Sequence, residues 1–327
     1  MPPPAPVVRV VRSGFVESVH LGDIAVCDAG GRVVAELGDP HRPVFARSSM
    51  KPLQASVSLV RIESELTDDL VAIMCASHNA EPAHVRAVRR LLRAGGASES
   101  GLRCPPDLPS RREDALRAAR PRRVFNNCSG KHAGMLSACV AAGWPLAGYL
   151  EPSHPLQREV RRAVARACGV RRPEIGIDGC GVPVFGVPLS AMATMFARLS
   201  RPSHLGVLAA PAEWAVRAMR AHPFLVAGTR RTDTELMSRV PGVISKGGAE
   251  ALHCAAILGP GLGVAVKIAD GGDRAAGPAL LHALAGLQAF TDRELEELST
   301  LARKPVLGGG RPVGELVADF RLRRPRR

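Results

Sequence analysis

The chain has 327 residues, enough to bury a sizeable core as one large domain or two closely joined ones. Hydrophobic residues at 46% and charged residues at 23% are ordinary for a globular protein, and aromatics at 3% argue against stacking recognition of single-stranded nucleic acid. The net charge of +14 comes from arginines spread along the whole chain, which looks like a residue preference rather than a binding stripe, so no nucleic-acid partner is expected.

The opening Met-Pro-Pro-Pro-Ala-Pro lacks the charged-then-apolar pattern of an export signal, and residues 1–6 are expected to be disordered. No apolar stretch reaches the about 18 residues that a spanning helix needs, so no membrane partner is expected. The compartment read from this is the cytoplasm, where the cysteines at 27, 75, 104, 128, 139, 168, 180 and 254 are expected as reduced thiols, some of them candidate metal ligands.

Strands are expected at 7–11, 24–27 and 33–37, the last two flanking Asp28-Ala29-Gly30-Gly31, a hairpin signal. A helix follows over 49–62 with Pro52 in its first turn, and Thr67 with Asp68 and Asp69 caps the next. Further helices are expected at 82–92, ended by Gly95-Gly96, at 131–142 behind Ser129, and at 153–168, stopped by Gly169. A short strand at 174–178 precedes an apolar helix at 188–199. Thr232 with Glu235, and Thr291 with Glu294, have capping-box spacing. Strands at 243–245 and 262–268 are followed by helices at 278–289 and 292–301. The pattern is α/β or α+β, with an antiparallel sheet drawn from both termini and covered by helices. It implies a single catalytic domain over 7–320, with a basic tail at 321–327.

The chemistry is read from lysine placement. Only five lysines occur, at 51, 131, 246, 267 and 304, and three of them sit in serine- or glycine-flanked motifs. An amine can lose its proton near neutral pH where a guanidinium cannot. Ser48 and Lys51 are three apart, which places both on one helix face at its N-terminus, where the dipole favours a developing alkoxide. Alone, such a pair is better read as a capping serine and a solvated lysine. Ser77-His78-Asn79 and Lys246-Gly247-Gly248 change that reading. Together they repeat the order Ser-x-x-Lys, Ser-x-Asn, Lys-x-Gly of penicillin-binding proteins and class A β-lactamases.

A second constellation lies mid-chain. Asn126-Asn127-Cys128-Ser129-Gly130-Lys131-His132 offers a thiol, a hydroxyl, an amine and an imidazole, and Asp178-Gly179-Cys180-Gly181 ends a short strand. Both cysteines with Asp178 and His132 could hold Zn²⁺, although neither segment has Cys-x-x-Cys spacing. Two buried thiols in a polar loop, or a Cys128 nucleophile partnered by His132 or Asp178, are the alternatives. The polar segment 229–234 could present amides and hydroxyls to a carboxylate, or serve as a cap.

These segments resemble the Rhizobium-type L-asparaginases, the asparaginase II family. The resemblance is carried by Val16-Glu17-Ser18-Val19-His20, Arg47-Ser48-Ser49-Met50-Lys51-Pro52, Cys75-Ala76-Ser77-His78, Asn127-Cys128-Ser129-Gly130-Lys131-His132, Asp178-Gly179-Cys180-Gly181 and Ser245-Lys246-Gly247-Gly248. It implies a serine β-lactamase-like fold, a homodimer, and hydrolysis of L-asparagine to L-aspartate and ammonia. It implies two Ser-Lys pairs, Ser48 with Lys51 and Ser77 with Lys246, and zinc held by Cys128, Lys131 and Cys180, tuning substrate affinity. Asp178, Asn127, His132 and Arg47 are the candidates for binding substrate. Ala80 departs from the pattern where a glycine would suit the loop. The alternatives are a penicillin-recognising hydrolase, which is normally exported, and a glutaminase.

Overall fold

The computed structural model describes residues 2–62 and 65–325. Of the expected basic tail, Arg326 and Arg327 lie outside the described residues, as does Met1 of the opening segment. Two compact units emerge, one made of Met1–Ser49, Val187–Arg201 and Glu235–Arg327, the other of Met50–Gly186 and Pro202–Thr234.

The first unit is built on an antiparallel sheet. Its strands are β1 (Ala5–Arg12), β2 (Phe15–Asp28), β3 (Val33–Leu37), β7 (Val243–Gly248), β8 (Leu252–Ile257), β9 (Leu262–Ile268), β10 (Pro305–Gly308) and β11 (Arg311–Ala318). A short strand, β4 (Pro43–Phe45), precedes the 3-10 turn Arg47–Met50, and β5 (Glu174–Ile177) and β6 (Pro183–Pro188) pair antiparallel. The main order is β10-β11-β1-β2-β9-β8-β7, with β3 also paired to β2. Both ends of the chain meet in it, Val8 opposite Ala318 and Val10 opposite Leu316.

Side-chain alternation splits the sheet into two faces. Ile24, Val26, Val264 and Val266 join a core with Ala279, Leu280 and Leu284 of α11 (Asp273–Gly286). On the other face, the Cys27 thiol donates to the Ser190 carbonyl of α7 (Leu189–Ser200). A Cβ at Gly263 would lie 1.9 Å from the Ala193 carbonyl oxygen, so the α7 backbone presses directly on the strand. With both faces covered, β8 is buried at all six residues.

The second unit is helical. It contains α1 (Lys51–Leu59), α2 (Asp68–Met74), α3 (Pro82–Ala94), α4 (Arg112–Arg117), α5 (Ser129–Ala141), α6 (Pro155–Cys168), α8 (Ala209–Ala221) and α9 (Pro223–Val226). Every residue of α1 is buried, and it packs on α2, α5, α6 and α8. The expected stop at Gly169 is real: φ is +67, and the helix ends there. The remaining helices are α10 (Thr232–Arg239), α12 (Asp292–Glu297) and α13 (Ser299–Ala302). At α12 both arms of the Thr291–Glu294 capping box form.

Candidate active site

The first unit carries Ser48 and Lys246. Ser48 sits partly exposed in the 3-10 turn Arg47–Met50. Arg47 before it has φ of +44, a left-handed conformation that costs a non-glycine residue about 1–3 kcal/mol and is kept where the surroundings impose it. The buried Ser49 hydroxyl donates to the Leu252 carbonyl at 3.4 Å. A Cβ on Gly248 would lie 2.9 Å from Ser49 Oγ and 3.3 Å from Arg47 Cβ. A side chain there would crowd the turn, so glycine lets the end of β7 approach it closely. The turn that holds Ser48 thus packs on the hairpin that holds Lys246, whose fully buried Nζ donates to Gly247 O at 2.7 Å.

The second unit carries Lys51 and Ser77. Lys51 opens α1 and is fully buried, with Nζ 2.6 Å from Ala76 O, 2.8 Å from Ser77 Oγ and 3.5 Å from Asn127 O. Burial above all, reinforced by the charge of Lys131, pushes its pKa below the ordinary lysine value against the pull of Cys128 and Cys180. A neutral amine suits the surroundings: its two N–H groups face carbonyls, and its lone pair can take the Ser77 hydroxyl.

The segment around Ser77 is tied down on two sides. Ser77 and Asn79 donate their backbone N–H groups to Val226 O and Ala227 O at 2.9 and 3.0 Å. The His78 ring accepts from the Ala80 N–H at Nδ1 (3.1 Å), so Nε2 carries the proton and donates to Ser129 Oγ at 3.0 Å. The Ser129 hydroxyl in turn donates to Val124 O at 2.9 Å. Burial keeps His78 well below the usual imidazole range, in agreement with a neutral ring. Ala80, where a glycine was expected to suit, takes φ of +57.

His78 leads directly to the second cluster. Cys128 immediately precedes α5, Lys131 lies in the first turn of that helix, and Cys180 follows β5. Lys131 Nζ donates to Cys180 Sγ at 3.0 Å, and Asp178 Oδ2 is 3.6 Å from that sulfur. A hydrogen bond from Cys128 and the charge of Lys131 pull the Cys180 thiol down despite its burial. The same hydrogen bond and burial push Cys128 up. Burial opposes charge on Lys131, but Cys180, Cys128 and Asp178 outweigh it and raise its pKa. These opposed shifts favour the proton on Lys131 and on Cys128 over one on Cys180. Two sulfurs and an amine make a donor set suited to zinc, whose charge would replace the one that the Lys131 proton supplies. Among the described residues no group of three or more His, Cys, Asp or Glu side chains is placed to hold a metal.

Of the expected substrate contacts, Asn127 is exposed with Oδ1 accepting from the Cys128 thiol at 3.0 Å, and Asp178 is partly exposed. His132 is fully buried, and Nδ1 meets the Tyr149 hydroxyl at 2.7 Å. Burial holds its pKa at about 3. Sequence reasoning missed Tyr149, the only tyrosine of the chain, whose hydroxyl also accepts from the Arg103 N–H. Its rarity in an aromatic-poor chain was the available signal. Glu81, which braces the Ser77 segment, carried no such signal, whereas Thr229 lies in the polar segment read as able to present amides and hydroxyls to a carboxylate, and it does so to Glu81.

The sequence profile of the L-asparaginase II family matches residues 8–318. No protein of curated function matches the chain. Among solved structures it is similar to a β-lactamase from Mycobacterium bovis at 19% identity, covering 82% of this chain and 95% of that one with a TM-score of 0.41. It is also similar to a simvastatin synthase mutant from Aspergillus terreus at 13% identity, covering 76% and 86%, with a TM-score of 0.39.

Proposed function

This chain belongs to the L-asparaginase II family, and from that premise we propose that it hydrolyses L-asparagine to L-aspartate and ammonia through a serine acyl-enzyme. The observation that carries the reading is Lys51, a fully buried amine held against the hydroxyl of Ser77 and depressed in pKa by its burial.

In the proposed cycle Ser48 Oγ attacks the side-chain amide carbon while neutral Lys51 takes its proton. Backbone N–H groups of the Ser48 turn stabilise the oxyanion. The tetrahedral adduct collapses, the C–N bond breaks, and a proton relayed through Ser77 and Lys246 leaves with ammonia. A water then attacks the ester, giving its proton to the same relay, and aspartate leaves as Ser48 regains its hydrogen. Asp178, Asn127 and Arg47 fix the α-ammonium and α-carboxylate.

Cys128, Lys131 and Cys180 would hold zinc. Bound there, the metal supplies charge that fixes the substrate-facing loop and tunes affinity. The protein is proposed to work as a homodimer in the cytoplasm. No helix among the described residues is long and apolar enough to cross a membrane.

Ammonia release from L-asparagine and L-glutamine by the purified protein tests the reading. Turnover of asparagine that Ser48→Ala abolishes supports it. Turnover of glutamine alone makes the protein a glutaminase, and turnover of neither overturns the proposal.

A further inference from the structure

One buried charge has no part in that cycle. Glu81, at the N-terminus of α3, is 4% exposed. Its carboxylate accepts from the Thr229 backbone N–H at 2.8 Å, the Thr229 hydroxyl at 2.7 Å, Arg111 at 3.1 Å and Asn79 Nδ2 at 3.2 Å. Asn79 Nδ2 also donates to the Thr229 carbonyl at 3.1 Å, and Arg231 donates to Asn79 Oδ1 at 3.3 Å. Two side chains, Asn79 and Glu81, therefore satisfy both backbone groups of Thr229. They extend by one step the ladder that joins Ser77 and Asn79 to Val226 and Ala227.

The geometry is strained on both sides of the contact. Ala80 has φ of +57 and Arg230 φ of +60, neither with the freedom of glycine. At Gly228 a Cβ would lie 2.7 Å from both Glu81 Oε1 and Asn79 Nδ2, so a side chain there would push the carboxylate out. Surface chemistry does not call for such an arrangement. A carboxylate taken from water needs several strong donors, and here all of them belong to one loop and its neighbours.

We infer that Glu81 is a positioning residue, whose carboxylate locks the Ser77–Glu81 segment to the Gly228–Arg231 turn and so holds Ser77 Oγ on Lys51 Nζ. The inference rests on the reading that Ser77 and Lys51 move protons in the reaction. Thr229 is its counterpart, supplying two of the donors. Removing the lock leaves the nucleophile untouched and lets the relay drift, and a drift of about 1 Å costs a reaction up to about a hundredfold.

The test is a cycle of Glu81→Gln, Thr229→Val and their double variant, with Thr229→Ser as the rescue. The glutamine keeps one acceptor and faces Arg111 with a donor, and the valine removes only the hydroxyl. Each single variant is expected to lose about ten- to hundredfold in kcat with KM changed by less than about threefold. The double variant should be no slower than the slower single one, because the two residues act as one unit. Thr229→Ser, which keeps the donor, should return kcat to near the parent value. Wild-type kcat in folded Glu81→Gln and Thr229→Val, or a loss that Thr229→Ser shares, overturns the inference. Should Glu81→Gln fail to fold, the valine and serine variants decide alone. Ser48→Ala assayed beside them separates the two claims: if it keeps activity, the serine reading itself is wrong, and if it is inactive while the lock variants match wild type, only the lock is wrong.

Discussion

At the scale of residues, the central group is Lys51. Its burial favours the neutral amine, which is the form that can accept a proton. Lys51→Arg keeps the positive charge but cannot lose a proton, so kcat should fall by about 10²–10⁴, the usual worth of a positioned base. An arginine variant as fast as the parent would remove Lys51 from proton transfer. The same depression sets a direction with pH. The native state gives up the Lys51 proton more readily than the unfolded chain, so activity should rise with pH as that proton leaves. The stability cost of Lys51 is full below its folded pKa and fades as pH rises towards the ordinary lysine value of 10.5. Urea midpoints of wild type should therefore gain on those of Lys51→Met between neutral and alkaline pH; a constant gap would contradict the depressed pKa. The Ser48 and Lys51 motif stands out in the sequence because the chain uses lysine so sparingly. The contact between Lys51 and Ser77 does not, since nothing in the spacing says that residue 77 returns to the start of α1.

At the scale of elements, local signals worked where one residue decides the outcome. Asp28-Ala29-Gly30-Gly31 joins β2 to β3, Gly169 ends α6, and Thr291 with Glu294 caps α12. They failed where tertiary cover erases the pattern. β8 was missed because burial on both faces leaves no alternation. Pro278 was read as a helix start, but α11 already begins at Asp273, with the proline inside it. The expected helix at 49–62 is a 3-10 turn followed by α1, which ends at Leu59. Helix packing offers its own test. A Cβ on Gly130 in α5 would lie 2.1 Å from the Ile73 carbonyl oxygen of α2. Gly130→Ala must push the two helices apart, at about 1–3 kcal/mol for overpacking. Its thermal midpoint should drop by several degrees, and by displacing the Cys128 turn it should raise KM. A variant that melts with the wild type would mean that these helices do not meet as described.

For the whole molecule, the net charge of +14 is a poor guide to function. Arginines are engaged across the surface, Arg89 and Arg122 with Glu99, Arg90 with Asp69, and Arg217 with Asp68. Each such exposed pair is worth little stability, but together they disperse the positive field. The sheet drawn from both termini was legible in the sequence, because strand signals cluster at the two ends. Its order was not, because pairing depends on long-range closure. Metal removal probes the thiol-amine cluster. Zinc ligands must be deprotonated, so dialysis against chelator at mildly acidic pH should strip the zinc proposed for this cluster. The expected outcome is a raised KM with kcat largely retained, restored by zinc. A lost kcat at unchanged KM would give the metal a different task.

The most direct measurement is ammonia release from L-asparagine by Ser48→Ala beside wild type, at neutral pH and with matched folding by circular dichroism. Loss of the nucleophile should leave less than about a thousandth of wild-type kcat. Retention of more than about a hundredth would show that Ser48 does not form the acyl-enzyme.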